Sequence, residues 1–282
     1  MPELPEVETV ANGVNERISG QRIESVWLSS KPQTFKTPAL EMAEQLRGRR
    51  VALVRRVGKH IVFDLTSIEN RRPKYVHPLS LQWVVHLGMT GRLLVSAPEV
   101  PIPPHTHAIL QLSSGKELRF VDPRRFGRLA IHHVTQEIGG FRGPGSEPLS
   151  IPVEQFIALF RGRRLAIKSA LLNQSLLHGV GYIYADESLF RAGIRPKRMA
   201  GRIRRPELER LHASVQSVLR EAIALGGSSV SDYVDADGAA GFFQLEHKVY
   251  MRTGEPCLVC NAPIRKIVLG GRSTHYCPNC QR

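Results

Sequence analysis

All four cysteines of the chain fall in its last 26 residues, as Cys257-x2-Cys260 and, sixteen residues later, Cys277-x2-Cys280. Two such knuckles can set four thiolates tetrahedrally around one Zn2+. A segment this short has no core of its own, so the metal would supply its folding energy. A disulfide framework would spread its cysteines along the chain rather than pair them at one end. With four protein ligands the zinc has no open position, so it would be structural rather than catalytic. Between the knuckles lie Arg265, Lys266, Arg272 and His275. They read as a basic hairpin tip suited to phosphate, or as a solvated turn.

The second chemical grouping is at the other end, where Glu3 and Glu6 follow Pro2 in MPELPEVETV. Acids in a first helical turn are favourable for the helix dipole alone. Proline at position 2 also allows removal of Met1, which would leave a secondary amine at the N-terminus. An α-amino group titrates at roughly 7.7–8.0, well below lysine at about 10.4, so much of it is free base and nucleophilic near neutrality. A neighbouring carboxylate could then move the protons that an amine cannot.

A third element is AIKSALLNQSLLHGVGYIYADESLF, two helical stretches joined by a loop containing Gly179 and Gly181. The second helix starts at that loop, so its free N–H groups form an anion site, with Lys168 on the preceding helix adding charge. Helical hairpins are also common in cores.

These groups need elements to carry them. The length of 282 residues points to two domains. Val7, Val10, Val14 and Ile18 recur at steps of three and four, which predicts a helix over residues 3–18. From Arg22 to about Val134, runs such as VALVRRV, HIVFDL, LQWVVHL, RLLV, HAILQL and RLAI alternate with turn residues. They predict an antiparallel sandwich or barrel, with a short helix near Ala39–Leu46. FRGPGSEPLSIP at 141–152 reads as a linker, and the chain beyond it as helical. Pro206–Leu225 is a long amphipathic helix, followed by a Gly/Asp/Ser-rich loop from Gly226 to Gly241. The division expected is 1–134, a linker at 135–152, a helical domain at 153–240 and the cysteine module at 241–282.

The formal net charge is +14. It is shared evenly, with 19 basic and 12 acidic residues in 1–134 and 20 and 13 beyond. A folded surface of this sign favours a polyanion, most simply nucleic acid, although an ordinary basic enzyme has the same balance. No run of 18 apolar residues occurs and the start lacks the pattern of a signal peptide, so a cytosolic protein away from membranes is expected.

In MPELPEVET, HLGMTG (86–91), DPRRFG (122–127), GVGxIYADESLF and the paired CxxC motifs, the chain resembles the bacterial formamidopyrimidine-DNA glycosylases, in order and over essentially its whole length. The resemblance implies an α+β fold: an N-terminal β-sandwich with flanking helices, then a helix–two-turn–helix domain with a zinc ribbon. It implies a monomeric glycosylase and lyase of base excision repair, acting on oxidised purines in damaged duplex DNA and holding one structural Zn2+ on Cys257, Cys260, Cys277 and Cys280. Pro2 would attack C1′ and form an iminium, Glu3 would handle the proton at the sugar ring oxygen, and Glu6 would help position the site. Lys59 matches a lysine close to the flipped nucleotide. Lys168 and Arg272 match phosphate or active-site contacts, and His105 and Gly181 fall at DNA-binding positions. Met89, Arg124 and Phe126 match the residues that fill the void left by a flipped base. As plain residues, Met89 and Phe126 would read as core.

Two departures stand out. Tyr182 occupies the place of an asparagine that contacts phosphate in the family; its hydroxyl also donates, but with a different reach. Residues 66–80, TSIENRRPKYVHPLS, are longer than the usual turn and read as an extended surface hairpin. An endonuclease VIII-like enzyme for oxidised pyrimidines and a non-catalytic zinc protein that binds DNA are the alternatives at this point, although the endonuclease VIII branch usually carries glycine where Leu4 stands.

Overall fold

A computed structural model describes residues 1–67, 81–135, 139–229 and 233–282. The long segment at 66–80 therefore lies, from residue 68 onward, outside the described residues. The chain forms two compact units, 1–142 with 226–241, and 143–225 with 242–282. The loop Gly226–Gly241, placed with the helical domain by the sequence division, thus groups with the first unit.

In the first unit, α1 (Leu4–Ile18) buries the expected stripe of Val7, Val10, Val14 and Ile18. The helix starts at a reciprocal capping pair, Glu3 and Glu6, and the chain leaves it at Gly20 with φ +82°. There follow β1 (Ile23–Leu28), α2 (Ala39–Leu46), β2 (Arg50–Val57), β3 (His60–Thr66), β4 (Leu81–His86), β5 (Arg92–Ser96), β6 (Thr106–Leu112), β7 (Glu117–Val121) and β8 (Arg128–His133). They form two four-stranded antiparallel sheets, ordered β1-β6-β7-β5 and β2-β3-β4-β8. This is a sandwich, not a barrel. The core joins α1 to Phe63, Trp83 and Phe120 of the sheets. Phe63 and Trp83, direct partners on β3 and β4, pack with ring centroids 4.8 Å apart. Truncating such a buried aromatic costs about 3–5 kcal/mol.

Strand β7, ELRFV, alternates polar and apolar residues like a half-exposed strand, yet all five of its residues are buried. The reason is a buried ion pair, with the guanidinium of Arg119 2.6 Å from the Glu117 carboxylate. The same Arg119 donates to the carbonyls of Pro101 and Ala97, so its polarity is satisfied inside.

The second unit contains α3 (Val153–Phe160), α4 (Ile167–Leu171), α5 (Tyr182–Ala192) and α6 (Arg205–Ala224), then the hairpin β9 (Arg265–Leu269) and β10 (Arg272–Tyr276). Helix α4 is shorter than AIKSALLNQ suggests. The Asn173 side chain accepts the Ser175 N–H, and the Asn173 carbonyl accepts from Leu176 and Leu177, which turns the backbone out of the helix. Helix α5 ends at Gly193, left-handed with φ 71°. Helix α6 begins with Pro206 in its first turn and buries Leu208, Leu211, Val215, Val218 and Leu219.

Candidate active site and nucleic-acid contacts

At the head of α1 the two acids hold each other. The Glu3 N–H donates to Glu6 Oε2 at 2.8 Å, and the Glu3 carboxylate accepts the Glu6 N–H. Both are buried, as is Pro2 behind a partly exposed Met1. The second oxygen of Glu6 accepts the Ser228 N–H at 2.8 Å. The loop sits so close that a Cβ on Gly227, whose φ is +82°, would lie 3.0 Å from Glu6 Cγ. Tyr233 donates its hydroxyl to the Glu6 carbonyl at 3.4 Å, and burial, aided by the Glu6 charge, pushes its phenol well above the usual range. Glu6 therefore orients Glu3 and seats the 226–241 loop beside it. Ser228 and Tyr233 were not singled out from sequence, because nothing local ties them to residue 6.

Lys59 occupies the turn between β2 and β3, next to Gly58 with φ +60°. Its carbonyl lies 3.1 Å from His86 Nδ1. Burial above all, with the charges of Lys59 and Arg128, lowers the His86 pKa. Sequence reasoning passed over His86, although it opens the HLGMTG motif.

Two loops bring Met89, Arg124 and Phe126 together. Asp122, fully buried, accepts the Thr90 hydroxyl at 2.6 Å and the Gly127 N–H at 2.7 Å. Thr90 in turn accepts the Arg124 N–H at 3.3 Å. A Cβ on Gly88, with φ +68°, would fall 2.6 Å from the Gly127 nitrogen, so only glycine lets the loops touch. On this frame Met89 is 39% exposed and Phe126 48%, which excludes the core reading of both. The Arg124 guanidinium lies 4.9 Å over the Phe126 ring. His105, exposed and at φ 66°, accepts the Asp122 N–H through its carbonyl at 3.0 Å.

In the second unit Gly181 is the N-cap of α5 and Tyr182 its first residue, as expected. The Tyr182 ring packs on Tyr250, centroids 5.9 Å apart. Arg272 is exposed at the start of β10, after the Gly270–Gly271 turn with φ 55° and 73°. Two expectations are corrected. Lys168 is fully buried and ion-paired to Asp186 at 2.7 Å, so no surface is left for a direct phosphate contact. His275 is also buried, 3.3 Å from the same Asp186, and is not part of the hairpin tip.

The four thiols converge. All Sγ atoms lie within 4.8 Å of one another, with Cys257 to Cys280 at 3.8 Å and Cys260 to Cys277 at 3.4 Å. A Zn2+ with bonds of about 2.3 Å needs S···S edges of about 3.8 Å, close to these two separations. The backbone N–H groups of Val259 and Cys280 point at Cys257 and Cys277 Sγ, the donors that thiolates attract. The four cysteines thus form a site for one structural Zn2+. Among the described residues, no helix is long and apolar enough to cross a membrane.

Residues 1–129 match the formamidopyrimidine-DNA glycosylase N-terminal domain. Residues 144–234 match the formamidopyrimidine-DNA glycosylase H2TH domain, and 254–282 the zinc finger found in FPG and IleRS. A formamidopyrimidine-DNA glycosylase of Solibacter usitatus is 43% identical over 282 residues, covering 100% of both chains. Wild-type Lactococcus lactis Fpg (MutM), solved with DNA containing N7-benzyl-Fapy-dG, superposes with a TM-score of 0.86 at 32% identity over 100% of both chains. MutM in complex with DNA containing carbocyclic 8-oxo-G gives 0.85 at 32% identity, again over 100% of both.

Proposed function

This chain belongs to the formamidopyrimidine-DNA glycosylase family, and from that membership we infer that it is a DNA glycosylase and AP lyase removing oxidised purines from damaged duplex DNA. The observation that carries the site assignment is the reciprocal Glu3–Glu6 pair, two buried carboxylates fixed by backbone bonds directly after Pro2.

With Met1 removed, the Pro2 amine attacks C1′, the C1′–base bond breaks, and the base departs with the bonding pair and the proton that the amine nitrogen gives up. Glu3 delivers a proton to O4′ as the ring opens, leaving an iminium between Pro2 and C1′. A secondary amine gives an iminium with no N–H to lose, so its charge persists as an electron sink. Loss of a C2′ proton then expels the 3′ phosphate, and a second elimination expels the 5′ phosphate. Glu6 keeps Glu3 in place. Lys59, with His86 behind its carbonyl, faces the phosphates of the flipped nucleotide. Met89 and Phe126 fill the vacated stack, and Arg124 hydrogen-bonds the orphaned base. His105, the head of α5 at Gly181 and Tyr182, and Arg272 hold the backbone. The zinc keeps the ribbon folded. The reaction belongs in the bacterial cytoplasm, with the chromosome.

Borohydride trapping tests this reading. The protein should become covalently linked to a duplex containing 8-oxoguanine, and release the base, much faster than with an oxidised-pyrimidine duplex. Preference for the pyrimidine lesion would favour an endonuclease VIII-like enzyme, and no trapping on either duplex would leave only a binding protein.

A further inference from the structure

Three buried ionisable side chains meet beneath the ribbon, and the chemistry above uses none of them. Asp186, on α5, is completely buried. Its Oδ1 lies 2.7 Å from the Lys168 ammonium, and its Oδ2 accepts the backbone N–H of His275 at 2.9 Å, with His275 Nδ1 3.3 Å away. Lys168 also donates to the Ser273 carbonyl at 2.8 Å and to Thr274 Oγ1 at 2.9 Å. Lys168 thus joins Asp186, through charge, to two hydrogen-bond acceptors on the ribbon. Through this set every residue from Ser273 to His275 is tied to Asp186, and the residue just before them is Arg272.

A buried ion pair is a poor source of stability, since desolvation offsets most of the attraction; apolar packing would hold a hairpin as well. Apolar packing lacks directional bonds. A two-stranded ribbon is marginal by itself and free to tilt. The end of the ribbon is largely exposed, with Val268 at 68% and the Gly270 turn only touching Ser169 of α4, so apolar packing steers it little. The zinc fixes the base of the ribbon, at Cys277. The charges act at the middle of β10, between the metal and the tip.

We propose that Asp186 is a positioning residue for DNA binding: through Lys168 and His275 it holds Arg272 at a fixed place relative to the head of α5, so that both meet backbone phosphates together. The proposal rests on the reading of Arg272 as a phosphate contact.

The test is a thermodynamic cycle on the full-length, zinc-loaded protein, with affinity for a duplex carrying a tetrahydrofuran abasic analogue measured across salt concentrations. Asp186→Asn should weaken binding about 10-fold and lower the salt slope by about 0.9, one phosphate's worth. In an Arg272→Ala background the same change should cost less than 2-fold, because the contact it positions is already gone. Asp186→Asn strands the Lys168 charge and could disturb folding, so Thr274→Val is the second arm. It leaves the ion pair intact and removes both bonds of that hydroxyl, the one from Lys168 and the one to the Arg272 carbonyl, for an expected loss of about 3-fold that also disappears with Arg272→Ala. Equal losses with and without Arg272, in both arms, would overturn the proposal. If Arg272→Ala alone bound as tightly as the parent, the phosphate role of Arg272 would fall, and the positioning role with it.

Discussion

The Thr90 hydroxyl and the buried Asp122 carboxylate are joined by a 2.6 Å hydrogen bond that ties the loop bearing Met89 to the loop bearing Arg124 and Phe126. Thr90 also receives the Arg124 N–H, so one threonine sets the register of both loops. On the proposed reading, in which Met89, Arg124 and Phe126 fill the void left by a flipped base, this bond holds the loops that carry them as one body. Thr90→Val keeps the shape and removes the hydroxyl, leaving Asp122 Oδ1 without its donor at a cost of about 1–3 kcal/mol. Single-turnover excision of 8-oxoguanine should fall about 10-fold with little change in circular dichroism. An unchanged rate would separate the loop frame from the chemistry.

For the nucleophile, intact mass should show Met1 absent. A variant retaining any residue before Pro2 should lose both excision and borohydride trapping, and normal cleavage by such a protein would rule out the amine mechanism. Glu3→Gln should slow excision about 10²–10⁴-fold, the range for removing a general acid, while duplex affinity stays within a few-fold.

Metal analysis should find one zinc per chain. Stripping it with a chelator, or replacing Cys277 with Ser, should unfold the ribbon and abolish tight DNA binding while the sandwich of the first unit still melts cooperatively. Full affinity in a zinc-free protein would remove the metal from the account.

Acid stability should depend on Glu207. Its carboxylate takes Arg198 at 2.7 Å and the Arg204 N–H at 3.0 Å, and the Arg198 hydrogen bond above all holds its pKa down to about 2. The folded value lies below the unfolded one, about 4.3, so the contribution is fully present above that value and is lost as pH falls from about 4.3 towards 2. Glu207→Gln should cost roughly 1–3 kcal/mol at neutral pH and flatten the acid branch of the stability curve over that window. Urea titrations at pH 7 and pH 3 would show it; an equal loss at both would assign the effect to packing.

Tyr182→Phe keeps the packing on Tyr250 and removes only the hydroxyl. It should weaken binding by roughly 0.5–1.5 kcal/mol, equally for damaged and undamaged duplex, because phosphate contacts carry no base information. Tyr182→Asn should retain or raise activity. A loss confined to damaged DNA would place Tyr182 at the lesion instead.

Much of the molecule is legible in the amino-acid order alone. The cysteine spacing defines the metal site, the three-and-four steps define α1 and α6, and turn residues mark most of the strands, because each depends on neighbours within a few residues. The capping pair Glu3 and Glu6 belongs to the same class, being one helical turn apart. Tertiary structure decided what each side chain faces. It turned Lys168 inward, because its acceptor on Thr274 is 106 residues away. It hid Glu117 and Arg119 inside β7, set Met89 and Phe126 on the surface, and brought Ser228 to Glu6 across 222 residues. For the buried polar groups among these the physical reason is shared, whereas the apolar Met89 and Phe126 stand on loops fixed through Thr90 and Asp122. Local pattern records how polar a residue is, whereas burial depends on whether a distant partner satisfies that polarity, and only the folded chain supplies the partner.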